Sequence, residues 1–207
     1  MIAAGGSGAS ELPSVPDDAA ARKFIQLTKG QPPWPRLVRA ADQVGGGDAL
    51  DLGCGAGRDT EHLLNRGFTV TAVDSSAWAG AALSQMPHQA RLDFIQSRIE
   101  DFQPMTYDLI NAQYALPFIC SDLFKGCVAR LIAALRPKAV LAANFFGPHD
   151  EWNVAGDHRT FVTRAEVEAM LTDLELMELS EEDKDGETAF GTTKHWHVYH
   201  VIARRTA

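Results

Sequence analysis

Three glycines at alternate positions, with an acid on either side of them, are where this chain's residue types and spacing point to chemistry. In Ala49-Leu50-Asp51-Leu52-Gly53-Cys54-Gly55-Ala56-Gly57, a short apolar run with one acid set into it enters a turn. Without a Cβ, Gly53, Gly55 and Gly57 can adopt unusual φ values and let a ligand approach the backbone closely. Residues 58–65 have a helix-compatible composition, and Gly67 stands where a C-terminal cap belongs. The β-branched run 68–73 then ends on Asp74. A nucleotide-type ligand would lie across this turn, with a helix N-terminus beneath it and Asp74 on its ribose hydroxyls.

The glycine spacing decides which nucleotide. A dinucleotide turn wants G-x-G-x-x-G, but the residue three past Gly55 is Arg58. No G-x-x-x-x-G-K-[ST] string exists either. What stands here is acid-x-Gly-x-Gly-x-Gly followed by Asp74, and that pattern resembles the class I S-adenosylmethionine methyltransferases. The resemblance implies that Gly53, Gly55 and Gly57 line the amino acid and ribose of the cofactor, and that Asp74, with Ser75 beside it, holds the ribose. Asp51 would orient the turn or reach the methionyl ammonium through water. In the family, the loop after the third strand passes the adenine. Arg98 stands where an acid is usual, so the backbone of Ile99 is the expected contact, with Glu100 or Asp101 as substitutes.

These residues need a scaffold, and the alternation of elements supplies one. We expect an α/β fold: a Rossmann-like, seven-stranded, mostly parallel sheet with helices on both faces and an antiparallel C-terminal hairpin. Strands are predicted at 49–52, 68–73, 92–95, 107–112, 139–146, 174–179 and 195–203. Helices are predicted at 19–27, 35–44, 58–65, from Ser75 or Ser76 to 85, at 121–135 and at 164–171. Thr163 and Glu166 read as a capping box for the last of these. Residues 136–138 read as a turn and 181–186 as a solvated hairpin tip. In the helix over 121–135, Leu123, Val128, Leu131, Ile132 and Leu135 are the candidate inward residues. Residues 1–16 read as a flexible segment, without the basic start and apolar core of a signal peptide, and 17–207 as one domain.

Composition narrows the function. The chain has 207 residues, is 45% hydrophobic and carries a net charge of −8, which gives no general attraction to a phosphate backbone. We expect a small-molecule substrate, no nucleic acid and no membrane partner. The oligomeric state is not written in the sequence. Cys54, Cys120 and Cys127 are odd in number and lack metal-like spacing, which suits a reducing cytoplasm. Cys54 reads as a small side chain packed under the turn.

Gln113 and Tyr114 follow the fourth strand, where ligands of open α/β sheets sit, and are expected to face the sulfonium and the substrate. Asn111-Ala112-Gln113-Tyr114 lacks the paired prolines of base-methylating enzymes. The loop 147–161, with His149, Trp152, His158 and Arg159, is long enough to suggest function. Residues 31–34 read equally as part of a lid or as a connector. His195, His197 and Tyr199 share one strand face, but no neighbouring acid or Cys in the sequence completes a set, and no metal is expected. Phe145-Phe146-Gly147, Thr163-Arg164-Ala165-Glu166 and the run 195–200 resemble small bacterial methyltransferases of the tellurite-resistance type. That resemblance implies S-adenosylmethionine-dependent methylation of a thiol, a hydroxyl or a chalcogen oxyanion. No catalytic residue is assigned; Tyr114, His149 and His158 are candidate bases by placement. The other reading is a non-catalytic cofactor-binding or protein-interaction module on the same fold. A buried substrate site beside the methyl position would favour the enzyme.

Overall fold

The computed structural model describes residues 18–206, apart from the Asp18 side chain; the segment 1–16 lies outside the described residues. Seven strands form one sheet in the order β3-β2-β1-β4-β5-β7-β6. The strands are β1 (Asp48–Leu52), β2 (Thr69–Asp74), β3 (Leu92–Gln96), β4 (Tyr107–Ala112), β5 (Leu135–Phe146), β6 (Leu174–Glu187) and β7 (Thr193–Arg205). The first five run parallel, and β7 lies antiparallel between β5 and β6. The chain reverses its direction of travel across the sheet between β1 and β4. A crevice therefore opens at the carboxyl ends of those two strands.

Helices α1 (Asp18–Thr28), α2 (Pro35–Val44), α3 (Arg58–Asn65), α4 (Ala77–Leu83), α5 (Ser121–Ala133) and α6 (Arg164–Met170) cover the sheet. Their ends follow local chemistry. Pro35 opens α2, where its missing N–H costs nothing, and Gly45 closes it at φ 83°. The Ser76 hydroxyl accepts from the Trp78 amide at the start of α4, and the Thr163–Glu166 capping box forms at α6. Two cores result. Leu50, Ile110, Leu141, Phe145 and Val201 pack under α5 and α6 through Phe124, Leu131 and Val167. Ala49, Val70, Leu109, Val140 and Ile202 pack on the other face, under α2, α3 and α4 through Leu37, Leu63 and Leu83.

Three expectations need correction. Strand β5 begins at Leu135, not 139; residues 136–138 form an irregularity within it, where Lys138 takes φ 68° and the register with β4 shifts. In α5 the buried residues are Phe124, Cys127, Val128 and Leu131, while Leu123 is exposed. The predicted phase was therefore partly one residue early. Residues 181–186 are not a hairpin tip. They lie inside β6, paired through to Glu187↔Thr193, and the turn falls at 188–192. The acids are held in the strand by the histidines opposite them.

Gly57 caps the N-terminus of α3 at φ 83°, and a Cβ there would stand 2.2 Å from Met86 Cε and 2.8 Å from Leu83 Cδ1. We expect Gly57→Ala to cost roughly 1–3 kcal/mol in urea denaturation, since strained φ and a clash add. Unchanged stability would show that the turn tolerates another conformation.

Candidate functional site

The turn after β1 is held from below. The amides of Gly53 and Cys54 both donate to the Val73 carbonyl, at 2.8 and 3.0 Å, which locks the turn to β2. Gly53 (φ 70°) and Gly55 (φ 53°) are left-handed, and a Cβ on Gly53 would stand 2.8 Å from that of Ala115. Only glycine satisfies both demands. Cys54 is buried beneath the turn, where burial pushes its thiol well above the ordinary range. Such a thiol is not a nucleophile.

Asp74 lies across from this turn. Its Oδ2 accepts from the Gly55 amide at 2.9 Å and its Oδ1 from the Ser76 amide at 2.8 Å. The Ser75 amide also bonds this carboxylate, which has about four acceptor sites and so keeps room for an outside donor. Burial raises the carboxyl's pKa, and the amide bonds partly offset that. Ser75 sits between Asp74 and the cap of α4, and its carbonyl accepts from Gln96 Nε2. Past β3, the Ser97 amide donates to the Asp74 carbonyl at 3.0 Å, so the loop carrying Ile99 runs beside the acid. The Glu100 carboxylate is occupied by Arg98, at 3.1 Å, and Asp101 is exposed.

Asp51 is buried beneath the turn rather than in it. Its carboxylate accepts from the Thr60 hydroxyl and from Asn111 Nδ2 (2.8 Å). Asn111 Nδ2 also reaches Asp59 Oδ2 at 2.9 Å, and Asp59 Oδ1 accepts from the Trp34 amide at 2.9 Å. Two carboxylates thus share one amide donor in a buried site. Burial first and the Asp59 charge second raise Asp51 to about 7; burial raises Asp59 as well. The Arg58 and His62 charges and the amide bonds lower Asp59 without cancelling the effect of burial.

Residues 31–34 border the site. The Trp34 ring packs tilted against Tyr114, centroids 4.7 Å apart, and Arg58 lies over the Trp34 ring at 4.4 Å while donating to the Pro32 carbonyl (Nε···O 2.7 Å). The Phe24 ring of α1 sits 3.4 Å from where a Cβ on Gly55 would stand. Of the two readings of this segment, these contacts favour the lid.

Gln113 and Tyr114 stand at the carboxyl end of β4. Tyr114 takes φ 51°, and its amide donates to Asn144 Oδ1 at 2.7 Å. Burial pushes the Tyr114 phenol up to about 12, so it is a donor at neutral pH and not a base. Sequence reasoning missed what surrounds it. Phe146, Trp152 and Trp196 form an aromatic cluster with Tyr114, and buried Lys194 pairs with buried Asp150 between the Trp152 and Trp196 faces, 3.8 Å from each. Burial lowers the Lys194 pKa. The long loop 147–161 is what delivers Asp150 and Trp152. Also missed was a set of buried polar atoms without partners: Gln113 Nε2 and Oε1, Asn144 Nδ2, and both ring nitrogens of His200. Each such group costs about 1–3 kcal/mol. His200 is lowered to about 3, chiefly by burial.

The histidines of β7 do meet acids, contrary to the sequence reading. Asp183 bonds His149 Nδ1 (2.8 Å) and His195 Nε2 (2.7 Å), and Glu181 bonds His197 Nε2 (2.9 Å). The two histidines lower Asp183 to about 2. His149, Asp183 and His197 bring ligand-type atoms within 4.8 Å of one another. His197 has nothing left to give, however, since its Nδ1 accepts from the His149 amide at 3.0 Å. This cluster is a hydrogen-bonded ladder. His158 is exposed in its loop.

Comparison with known proteins agrees with this geometry. Residues 49–138 match the methyltransferase-domain family. That stretch is similar to a methyltransferase domain over a little under half of the chain. The match spans the glycine turn, Asp74, Ile99 and Gln113. A trans-aconitate 2-methyltransferase of Variovorax paradoxus is 38% identical over 96 residues, 45% of this chain and 36% of that protein. A ubiquinone biosynthesis O-methyltransferase of Vibrio atlanticus is 29% identical over 169 residues, 69% of this chain and 68% of that protein. The chain thus spans little more than a third of the first of these relatives. TehB from Haemophilus influenzae superposes with a TM-score of 0.71 at 19% identity, over 82% of this chain and 61% of that one. The 1,6-didemethyltoxoflavin-N1-methyltransferase of Burkholderia thailandensis gives 0.63 at 19% identity, over 96% and 93%. These likenesses show a shared fold.

The residues fit the cofactor. The buried acids Asp51 and Asp59 stay above their ordinary pKa, which suits an ammonium group, and the Asp74 carboxylate, tied to backbone amides, keeps acceptor capacity for a ribose hydroxyl. One consequence concerns the free protein. Folding lifts Asp51 from its ordinary 3.8 to about 7, so the native state holds a proton that the unfolded chain gives up. Stability from this group is full below about pH 4 and falls as the pH rises through about 7. We expect the melting temperature of Asp51→Asn to gain on that of wild type as the pH rises from about 4 to about 8. Thermal denaturation across that range measures it, and parallel curves would contradict it.

Proposed function

We propose that this chain is an enzyme that moves a methyl group from S-adenosylmethionine to a small-molecule acceptor. The single observation that carries the reading is the Asp74 carboxylate, tied to the Gly55 and Ser76 amides and facing the glycine turn. On this reading Gly53, Gly55 and Gly57 leave room for the amino acid and ribose, Asp74 and Ser75 hold the ribose, and Ile99 meets the adenine through its backbone. Asp51 and Asp59 balance the cofactor's positive charge, and Gln113 and Tyr114 lie beside the reacting methyl.

The cofactor supplies an electrophilic methyl on a sulfonium. The protein's task is to hold an electron-rich acceptor in line and to exclude water. Positioning of this kind supplies about 7–11 kcal/mol, so no dedicated base is required. Trp34, Tyr114 and Phe24, over and beside the turn, suit the exclusion of water. The acceptor belongs to the thiol, hydroxyl or chalcogen-oxyanion classes. Relatives named as O-methyltransferases support an oxygen atom, and the likeness to TehB supports the tellurite-resistance type at the level of fold. The unpartnered polar atoms beside Tyr114 favour an enzyme over a non-catalytic module, because such a module needs no second polar site there. Three unpaired cysteines suit a cytoplasmic protein. Among the described residues, no helix is long and apolar enough to cross a membrane.

Calorimetric titration with S-adenosylmethionine and S-adenosylhomocysteine tests the reading. Wild type should bind both in the micromolar range. Asp74→Ala should lose roughly ten- to hundred-fold, as expected for hydrogen bonds to a charged group worth about 1.5–3 kcal/mol. No binding to wild type would overturn the assignment.

A further inference from the structure

The register of the sheet gathers donors that nothing in the protein answers. Asn144 on β5 stands opposite His200 on β7, and His200 stands opposite Ser180 on β6. Counting by twos from Val140 and Ile202 puts Asn144 and His200 on the face that α2 covers. Gln113 follows directly on the Ala112↔Ala143 pair, which brings it level with Asn144. Gln113, Asn144 and His200 are 6%, 0% and 1% exposed. Asn144 Oδ1 is taken by the Tyr114 amide. Asn144 Nδ2 has no partner, and neither do Gln113 Nε2 and Oε1, both nitrogens of His200, Ser180 Oγ or Arg36 Nε. Arg36, in the first turn of α2, reaches the β6 end of this row. Its Nε lies 3.4 Å from Glu178 Oε1 without the geometry of a hydrogen bond, and Ser180 follows Glu178 on the same face of β6. Arg39 already holds Glu178 through Nε (3.2 Å) and Nη2 (2.8 Å). Two arginines thus share one acid, and a positive charge is left over. Buried polar groups are ordinarily paired, and an unpaired set in one place needs an explanation.

We propose that this row anchors a carboxylate on the methyl acceptor: Arg36, Ser180 and His200 hold the carboxylate at the β6 end, and Gln113 and Asn144 line the rest of the molecule toward the glycine turn. The inference rests on the methyltransferase reading above and narrows its acceptor to an organic acid. Donors, charge and length carry it. The open groups are mostly donors: a guanidinium, two carboxamide nitrogens, a hydroxyl and one imidazole nitrogen. A carboxylate accepts several hydrogen bonds at once, and those from arginine are charge-assisted. Burial first, then the Arg36 and Lys184 charges, hold His200 down at about 3, so its ring is neutral and sits in a positive field. The Glu182 carboxylate, 3.7 Å from His200 Nε2, is paired with Lys184 at 3.5 Å. Neighbouring strands stand about 4.8 Å apart, so the row from Gln113 across β5 and β7 to Ser180 runs roughly 14 Å. A bare chalcogen oxyanion would reach one end of it only. A hydroxyl or thiol held about 10 Å from a carboxylate would span it from Gln113 to His200. Tyr114 closes over this path, its ring 6.4 Å from that of His200 and 4.7 Å from that of Trp34.

The test uses the whole chain saturated with S-adenosylhomocysteine. It is titrated calorimetrically with 4-hydroxybenzoate, 6-hydroxyhexanoate and 4-hydroxycinnamate, each beside its own methyl ester, and with selenite. At least one acid should bind saturably, and at least ten-fold more tightly than its ester and than selenite. Arg36→Met keeps the aliphatic stem and leaves Glu178 to Arg39. It should abolish the preference for the acid while changing S-adenosylhomocysteine binding less than two-fold. Ser180→Ala alters no ion pair and serves as the second variant. It should weaken the same acid three-fold or more without lowering the melting temperature, because it removes an unpaired buried hydroxyl. Equal binding of acid and ester, no binding of any acid, tighter binding of selenite, or a preference that survives Arg36→Met would each overturn the proposal. So would a larger loss of S-adenosylhomocysteine in Arg36→Met, which would assign the arginine to the cofactor. Failure of S-adenosylhomocysteine to bind wild type would instead strike the underlying cofactor reading, so the two failures are distinguishable.

Discussion

Two carboxylates buried on one amide hold this site together. Asp51 and Asp59 both accept from Asn111 Nδ2, and through Thr60 and the Trp34 amide the same network reaches α3 and the segment before α2. One end of it is in β1, one in β4, and one in the cover over the turn. The arrangement is expensive, because burial opposes both charges and each charge opposes the other. A fold selected only for stability would put apolar side chains there. A fold that must receive a cationic ligand gains from leaving the charge unbalanced until the ligand arrives.

From that network the molecule divides by strand. The side proposed for the cofactor is continuous in sequence: β1, turn, α3 and β2 deliver Gly53, Gly55, Gly57 and Asp74 within a few dozen residues. The row of buried polar residues beside it is assembled from distant segments. Gln113 comes from the end of β4, Asn144 from β5 and His200 from β7, and the antiparallel placement of β7 beside β5 makes them neighbours. Tyr114 joins the two sides. Its strained backbone is held by Asn144, and its ring covers that row while packing against Trp34.

This division explains what could be read in advance. The glycine spacing, Asp74, the capping box at Thr163 and the strand alternation are local signals, and each survives in the structure. The parallel sheet with its antiparallel closing pair followed from them. What escaped depends on pairing between distant segments. The run 181–186 looks like a solvated tip because its acids lack partners in sequence; Asp183 and Glu181 find His149, His195 and His197 only across the hairpin. Lys194 and Asp150 are charged residues that a composition argument leaves at the surface, yet together they bury one another among tryptophans. His200 appeared as one more polar residue on a strand face, and only the register with Asn144 reveals the row.

Proton release on binding of S-adenosylhomocysteine would show whether Asp51, at about 7 in the free protein, ionises when the ligand's ammonium settles above the turn. Calorimetric titration of S-adenosylhomocysteine near neutral pH, repeated in buffers of different ionisation enthalpy, counts the protons. Net release of a fraction of a proton, abolished in Asp51→Asn, is the expected result. No release, or net uptake, would mean that the buried acids do not answer the ligand's charge.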